Sequence, residues 1–553
     1  MTSATDSTHA MHRLAVAGVI CALVAALVVL SAGTEARSAQ SAAASFDGAG
    51  LSAKPGNGGK PGNGGKPGNG GPPKPPAKPK KMQQPNIVMV MTDDQSQATV
   101  IPEVMPNLFS KLMPRGTTYS DYVVTTPLCC PSRAAYLTGQ YGHNNGVLRN
   151  FYPDLKQKQN VLPAWLQRAG YNTAHVGKFL NSYEQGELGP AAVAPGWDLW
   201  FTELEKRRYY NWKASLNGHV RHYGTGNNAH VTKVTSDFAR RFSKRLVKKK
   251  APFYMQVDYY APHSSTGRDT RCATGPVPEP QDEHRFDTYP LPLPPSYNEA
   301  DVSDKPGDVR NRAPVTPEDQ VGIERRFRCT LEALYGVDRG MGRIISELKR
   351  KKEFNDTVFL FTSDNGLFYG EHRIAKGKPD PYEENINVPL TMVVPPRFRN
   401  REPVLLNSDA PVANIDLAPT LLDLADADPC RSKRVCRTLD GRSLLPIMDG
   451  TGGFPNPRGI GLELYDCDYR GARFDHRVYI EHSKETQYGC DRTDTELYNL
   501  VDDPYQLDNL FPAPAGGAVS EAIDRMRNLT ETLGDCAGIE GRDPEPASGH
   551  YCQ

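Results

Sequence analysis

Asp93-Asp94, Lys178, His263, Asp364-Asn365 and Lys378, together with the pentad Cys129-Cys130-Pro131-Ser132-Arg133, are the residues whose types and settings could do chemistry. Asp93, Asp94, Asp364 and Asn365 offer only hard oxygen donors. They suit a divalent cation, Ca²⁺ more readily than Mg²⁺ if all four bind directly. Arg133, Lys178 and Lys378 would gather an anion, and His263 can move a proton near neutral pH. Each feature also has a plain structural explanation. Asp-Asn-Gly is as often a turn as a ligand set, and the Cys pair equally describes buried thiols or a vicinal disulfide ahead of a helix with Pro in its first turn.

The elements that carry these residues favour the chemical reading. Residues 86–92, Asn-Ile-Val-Met-Val-Met-Thr, form a continuous apolar run of strand length that ends in Asp93-Asp94-Gln95. Such a run describes a parallel strand buried on both faces. The same grammar recurs: 357–362 runs into Ser363-Asp364-Asn365-Gly366, 253–258 precedes Ala261-Pro262-His263, and 173–176 leads to Gly177-Lys178. A helical pattern lies between them, with Leu331, Leu334, Val337, Met341, Ile344, Ile345 and Leu348 at spacings of three and four over 331–349. Alternating strands and helices predict an α/β domain with a largely parallel sheet, and such sheets bind ligands beyond the carboxyl ends of their strands. Four strands would thereby deliver Asp-Asp, Asp-Asn, His and Lys to one edge.

Cys129-Cys130-Pro131-Ser132-Arg133 followed by Leu137-Thr138-Gly139 resembles the signature of the formylglycine-dependent sulfatase family. Further family motifs follow in family order over roughly 84–511: Asp93-Asp94-Gln95, Gly177-Lys178, Ala261-Pro262-His263, Asp364-Asn365-Gly366, Lys378 with Tyr382-Glu383, and a terminal Glu496-Leu497-Tyr498-Asn499-Leu500. Gly177-Lys178-Phe179-Leu180-Asn181 and Lys376-Gly377-Lys378 with Pro381-Tyr382-Glu383 are most similar to the N-acetylglucosamine-6-sulfatases and extracellular heparan 6-O-endosulfatases. The resemblance implies an alkaline-phosphatase-like α/β fold: a large mixed, mainly parallel sheet flanked by helices, with a small C-terminal antiparallel subdomain. It implies that Cys129 is oxidised to formylglycine by a formylglycine-generating enzyme, and that Asp93, Asp94, residue 129, Asp364 and Asn365 hold the cation. In the family mechanism the hydrated aldehyde is a metal-bound gem-diol. One hydroxyl attacks sulfur as the ester oxygen leaves, and the second loses its proton to expel sulfate and regenerate the aldehyde. Arg133 and Lys178 would screen charge, while Lys378 and His263 would contact the sulfate and protonate the leaving oxygen.

One position departs from the family. Many arylsulfatases carry His two residues after the lysine, where this chain has Leu180, and His143, Asn181 and His372 are candidate substitutes or substrate contacts. The substrate implied is a sulfated amino sugar, a glycosaminoglycan or an aryl sulfate. Two alternatives stand beside it: a phosphonate or phosphate ester hydrolase of the same superfamily, and a catalytically silent polyanion-binding relative.

Composition bounds the rest. The chain has 553 residues and a net charge of +1, with 38% hydrophobic residues and 18 Phe, 25 Tyr and 4 Trp for a core, which excludes global disorder. Residues 1–81 hold nine basic and three acidic side chains, a segment charge of +6 that leaves −5 for 82–553. The basic charge thus sits on a tail, which disfavours a nucleic-acid binder. Residues 1–44 read as a secretory signal peptide, with an uncharged run over 14–32 and small residues over 36–44. An uncleaved anchor is the alternative, because the run is close to the ~20 residues that span a bilayer; cleavage would leave no membrane span. Three copies of Lys-Pro-Gly-Asn-Gly-Gly and a Pro/Lys stretch make 45–83 a linker, one able to associate an extracellular protein with cell-wall polymer. The catalytic domain is assigned to 84–455 and the subdomain to 456–553, where 478–480 and 496–498 predict strands and 519–533 a closing helix. Eight cysteines beyond Cys21, Cys129 and Cys130 predict disulfides, for which nearest-neighbour pairing (272–329, 430–436, 467–490, 536–552) is the simplest connectivity.

Overall fold

The run Asn86–Thr92 forms strand β1, and all of its residues are buried. Alternation along it divides the core: Ile87, Met89 and Met91 join one apolar cluster with Leu137, Trp165 and Trp200. Val88 and Val90 join a second with Val176, Phe238, Leu334 and Phe361. Both faces of the strand are therefore covered, which is why the run is continuously apolar. The computed structural model describes residues 84–552 apart from 205–207, 267–270, 379, 400–404, 431, 433–434, 451–457, 466 and 488. The leader and linker assigned to 1–83 lie outside the described residues.

The remaining strands follow in chain order as β2 (Thr117–Tyr119), β3 (Tyr122–Val123), β4 (Asn172–Gly177), β5 (Leu199–Leu204), β6 (Trp212–Leu216), β7 (His219–Tyr223), β8 (Phe253–Asp258), β9 (Thr357–Ser363), β10 (Leu390–Val393), β11 (Asn407–Ser408) and β12 (Val412–Ala413). Ten of them form one sheet in the order β11-β2-β10-β9-β1-β8-β4-β5-β6-β7. Its centre is parallel, with Thr92 opposite Ser363 of β9 and Val90 opposite Val257 of β8. β4 continues parallel beside β8, with Gly177 opposite Asp258, and β5 beside β4. Antiparallel pairs of β10 on one side and β6 and β7 on the other make the sheet mixed. The four strands expected to deliver chemistry are neighbours, so their carboxyl ends share one edge.

Helices α1 (Cys129–Thr138), α2 (Val231–Leu246), α3 (Pro317–Arg350), α4 (Leu417–Ala425) and α5 (Ala518–Gly534) carry the packing that matters for the site. α3 is longer than the apolar spacing over 331–349 predicts. Its start is set by a capping box in which the Asp319 N–H donates to Thr316 Oγ1 (3.1 Å) and the Thr316 N–H donates to Asp319 Oδ2 (3.1 Å), with Pro317 in the first turn. The added turns begin on an exposed polar face, so hydrophobic periodicity passes them by.

A second sheet is antiparallel and runs β13 (Ile460–Leu464), β14 (Tyr469–Phe474), β15 (Arg477–Thr486) and β16 (Gly489–Asn499) in sequence order, closed by α5. This is the expected small C-terminal sheet; the boundary placed between 455 and 456 falls outside the described residues. Its core includes Ile460, Leu462, Val478 and Met526 together with Leu128, Ala135 and Tyr141. Helix α1 is thus gripped twice, because Cys130, Ala134 and Leu137 pack with the large sheet. The four disulfides pair nearest neighbours, 272 with 329, 430 with 436, 467 with 490 and 536 with 552. No helix among the described residues is long and apolar enough to cross a membrane.

Two polar contacts, one buried and one half-buried, tie the segment of the small sheet to the body that carries the large one. Arg458 grips Asp416 in a fork, Nη2 to Oδ1 at 2.9 Å and Nη1 to Oδ2 at 2.5 Å, with both side chains buried. Removing one partner strands a buried charge, so Asp416→Ala is expected to destabilise the protein by about 3–5 kcal/mol. A wild-type denaturant midpoint would contradict this. His143 stacks on Tyr141 and holds Glu463 of β13 at 2.8 Å. Burial alone would lower the imidazole's proton affinity, but Glu463 outweighs it and raises the pKa to about 9. A folded-state pKa above the unfolded value of ~6.5 stabilises fully below pH ~6.5 and loses that stabilisation as pH rises through 9. The stability gap between wild type and His143→Gln is therefore expected to be widest in mild acid and to shrink by pH 9–10 in denaturation curves. A gap that grows with pH would overturn the assignment.

Candidate active site

Two acid pairs meet first. Asp93 and Asp94 leave β1, and Asp94 takes a left-handed conformation (φ 70°) that turns the chain sharply at the strand end. Its N–H donates to Asp364 Oδ1 (3.2 Å), and Asn365 Nδ2 donates to Asp94 Oδ1 (2.8 Å), which ties the end of β1 to the end of β9. Asp93, Asp94, Asp364 and Asn365 are all buried.

Helix α1 brings the sulfur. It starts after an extended Leu128, and ends at Gly139 (φ 64°), whose N–H donates to the Ala135 carbonyl at 2.8 Å. Cys129 therefore sits on the helix N-terminus, where the partial positive charge faces the carboxylates. Its Sγ lies 3.4 Å from Asp93 Oδ1, and Lys378 Nζ donates to it at 2.9 Å. Cys129 and Cys130 are free thiols, which excludes a vicinal disulfide. Burial, reinforced by Asp93, pushes the Cys129 thiol up to about 11, so as an unmodified cysteine it stays protonated and is a weak nucleophile near neutral pH.

Cations complete the cluster. Arg133, one turn along α1, donates from Nε to Asp364 Oδ2 (2.8 Å) and from Nη1 to the Lys178 carbonyl (2.9 Å). Lys178 Nζ bonds Asp93, and Lys378 Nζ bonds Asp94 and, at 3.2 Å, Asn365 Oδ1. Lys178 reaches this place because β4 ends in Gly177 (φ 110°): a Cβ there would lie 1.9 Å from the Asp258 carbonyl oxygen. His263 presents Nε2 at 3.7 Å from Asp94 Oδ2 and anchors Nδ1 on the Ser264 carbonyl (2.8 Å) and the Tyr260 hydroxyl (3.1 Å). Burial raises the pKa values of Asp93 and Asp94, but their cationic neighbours, led by Lys178 for Asp93 and Lys378 for Asp94, outweigh it and hold both below the usual carboxylate range. Burial lowers His263, with the two lysines acting the same way, so the imidazole favours its neutral form.

All nine residues singled out by spacing thus fall into one cluster. One group escaped that reading. Asp258, the last residue of β8, lies 3.7 Å from Arg133 Nη1 and 3.0 Å from His175 Nε2. The signal was present, an acid closing an apolar strand. The candidate substitutes for the missing histidine divide. His143 is engaged by Glu463, and His372 is buried against Glu299 (2.7 Å) and stacked on Tyr382, so both serve packing. Asn181 lines a cavity beside Lys178. A larger cavity of about 1120 Å³, lined by Lys158, Arg168 and Glu187 among others, contains none of the clustered groups.

Among the described residues, Asp93, Asp94, Cys129 and His263 are a group whose ligand atoms all lie within 4.8 Å of one another. Counted with Asp364 and Asp258, four carboxylates face three fixed cations, Arg133, Lys178 and Lys378. That leaves one net negative charge, which a divalent ion would reverse. The donors are mainly oxygens, the set a hard cation takes.

Comparison with known proteins accords with this arrangement. The sulfatase family model matches residues 85–427, and a model described as the C-terminal part of N-sulphoglucosamine sulphohydrolase matches 370–532. The N-acetylglucosamine-6-sulfatase of Capra hircus is 28% identical over 505 residues, covering 84% of this chain and 85% of its own. A protein solved in complex with its substrate D-glucosamine-2-N,6-O-disulfate superposes with a TM-score of 0.64 at 22% identity, over 81% of this chain and 97% of its own. The phosphonate monoester hydrolase of Agrobacterium radiobacter shares the fold at a TM-score of 0.59 and 17% identity, over 81% and 95%. The fold is therefore the alkaline-phosphatase-like one, and the chain belongs to the sulfatase family of sulfuric ester hydrolases.

Proposed function

We propose that this protein is an exported, formylglycine- and metal-dependent sulfatase that cleaves the sulfate ester of a sulfated amino sugar, a glycosaminoglycan or an aryl alcohol. The observation that carries the reading is the meeting of Cys129 with Asp93, Asp94, Asp364, Asn365 and three cations in one buried cluster. Oxidised and hydrated, residue 129 supplies a hydroxyl nucleophile, and a divalent cation, Ca²⁺ before Mg²⁺, supplies positive charge where sulfate must approach.

The chain's own residues do the rest. Asp93, Asp94, Asp364 and Asn365 hold the cation together with residue 129. Lys378 orients residue 129, meets the sulfate and passes a proton to the leaving oxygen, while His263 contacts the sulfate from its Nε2 side. Arg133 holds Asp364 in place through its Nε, and Lys178 keeps Asp93 ionised and in place. The pair-engaged thiol of Cys129, held protonated by its surroundings, supports modification over direct thiolate attack. Export is supported by the leader pattern at 1–44 and by four disulfides, and the Lys-rich 45–83 would tether the enzyme near anionic wall polymer.

Three outcomes test this. After co-expression with a formylglycine-generating enzyme, the peptide containing residue 129 is expected at the mass of formylglycine; unmodified cysteine in an active preparation would sink the mechanism. Cys129→Ala is expected to lose turnover to background with an unchanged thermal transition, and retained activity would remove residue 129 as nucleophile. In paired assays of one aryl alcohol esterified with sulfate, phosphate or phosphonate, the sulfate is expected to have the highest kcat/KM. Preference for phosphorus would make this a phosphonate or phosphate hydrolase on the same fold.

A further inference from the structure

Beside Lys178 a cavity of about 200 Å³ opens, lined by Asn150, Asn181, Ser182, Glu203 and Tyr260 as well as the lysine, with Phe179, Leu180 and Leu204 adding apolar surface. Glu203 stands one position beyond Thr202, which pairs with Gly177, so it is the strand neighbour of Lys178. Two acceptors here are orphaned. Glu203 Oε1 and Asn181 Oδ1 are shielded from solvent and have no hydrogen-bond partner among the described residues. A buried acceptor without a donor costs free energy, and native structures pair nearly all of them. No described side chain donates to either oxygen: Lys178 Nζ is committed to Asp93, and neither Asn150 nor Ser182 makes a hydrogen bond to them.

We propose that Glu203 and Asn181 form the subsite that holds the alcohol side of the substrate, accepting hydrogen bonds from the hydroxyl or amine groups of a sugar ring whose sulfate lies at Lys178. This deepens the sulfatase reading and rests on it. An aryl group has no donors to offer and would leave both acceptors unpaired. A sugar presents several donors around a ring whose C–H faces suit the apolar lining from Phe179 and Leu180. Burial pushes the Glu203 carboxyl up to about 8, against the pull of Lys178. Held largely neutral, it would not repel a sulfated substrate. The subsite also gives Asn181 a use distinct from that of the histidine missing at 180: it reads the sugar, not the sulfate.

The test compares kcat/KM for glucosamine 6-sulfate and for an aryl sulfate in the modified wild-type enzyme, in Glu203→Leu and in Asn181→Ala, each checked for a wild-type thermal transition. The sugar-to-aryl ratio is expected to fall about tenfold or more in either variant, the loss of one substrate hydrogen bond and its stranded partner. An unchanged ratio in a folded variant overturns the subsite. Unsulfated glucosamine is expected to inhibit wild-type aryl sulfate turnover competitively, and absence of inhibition also overturns it, so the assignment does not depend on either variant folding. A wild type that cleaves aryl sulfate but not glucosamine 6-sulfate refutes the subsite and leaves the sulfatase reading standing. One that cleaves neither refutes both.

Discussion

Three carboxylates, Asp93, Asp94 and Asp364, lie buried side by side, and the rest of the site is organised by that constraint. Like charges this close repel, and desolvation adds to the cost. Lys178, Lys378 and Arg133 are buried with them, each bonded to a different member, and the two lysines hold Asp93 and Asp94 below the usual carboxylate range. The N-terminus of α1 adds its partial positive charge. Such an arrangement is a poor way to stabilise a fold, since well-packed apolar side chains of similar volume would often do as well or better. It is a good way to build a pocket that accepts a cation and then an anion.

The architecture supplies the rigidity that this charge cluster needs. The acids and Lys178 leave adjacent strands of one sheet, whose register is specified by apolar packing on both faces. Cys129 and Arg133 come from a helix held by the large sheet on one side and by the small sheet on the other. The small sheet is thus tied to catalysis mechanically, through Leu128, Ala135 and Tyr141, and through the fork between Arg458 and Asp416. Lys378 arrives on a loop. It is the member in contact with both the sulfur and Asp94.

Much of this was legible in the residues. The runs 86–92, 253–258 and 357–362 announced buried parallel strands because they are largely apolar and of strand length, and the polar residues at their ends marked the site. The disulfides followed chain proximity. Short strands near the sheet's edge, Thr117–Tyr119 and Asn407–Ser408, carry too few residues for a period to show. The start of α3 is encoded in a cap, not in hydrophobic spacing. Glu203 was silent for a different reason. Its meaning comes from which strand lies beside it and from what its carboxylate lacks, and neither is a local property of the chain. His143 and His372 looked chemical by type and proved to be the half-buried partner of Glu463 and the buried partner of Glu299.

The central claim, that the acid cluster is a cation site on which sulfate chemistry depends, is tested most directly by titrating Ca²⁺ into chelator-treated protein in a calorimeter while following turnover in the same sample. The account predicts one saturable site, turnover that appears in step with its occupancy, and loss of both in Asp364→Ala. Full turnover in the metal-free protein, or Ca²⁺ binding unaffected by Asp364→Ala, would contradict it.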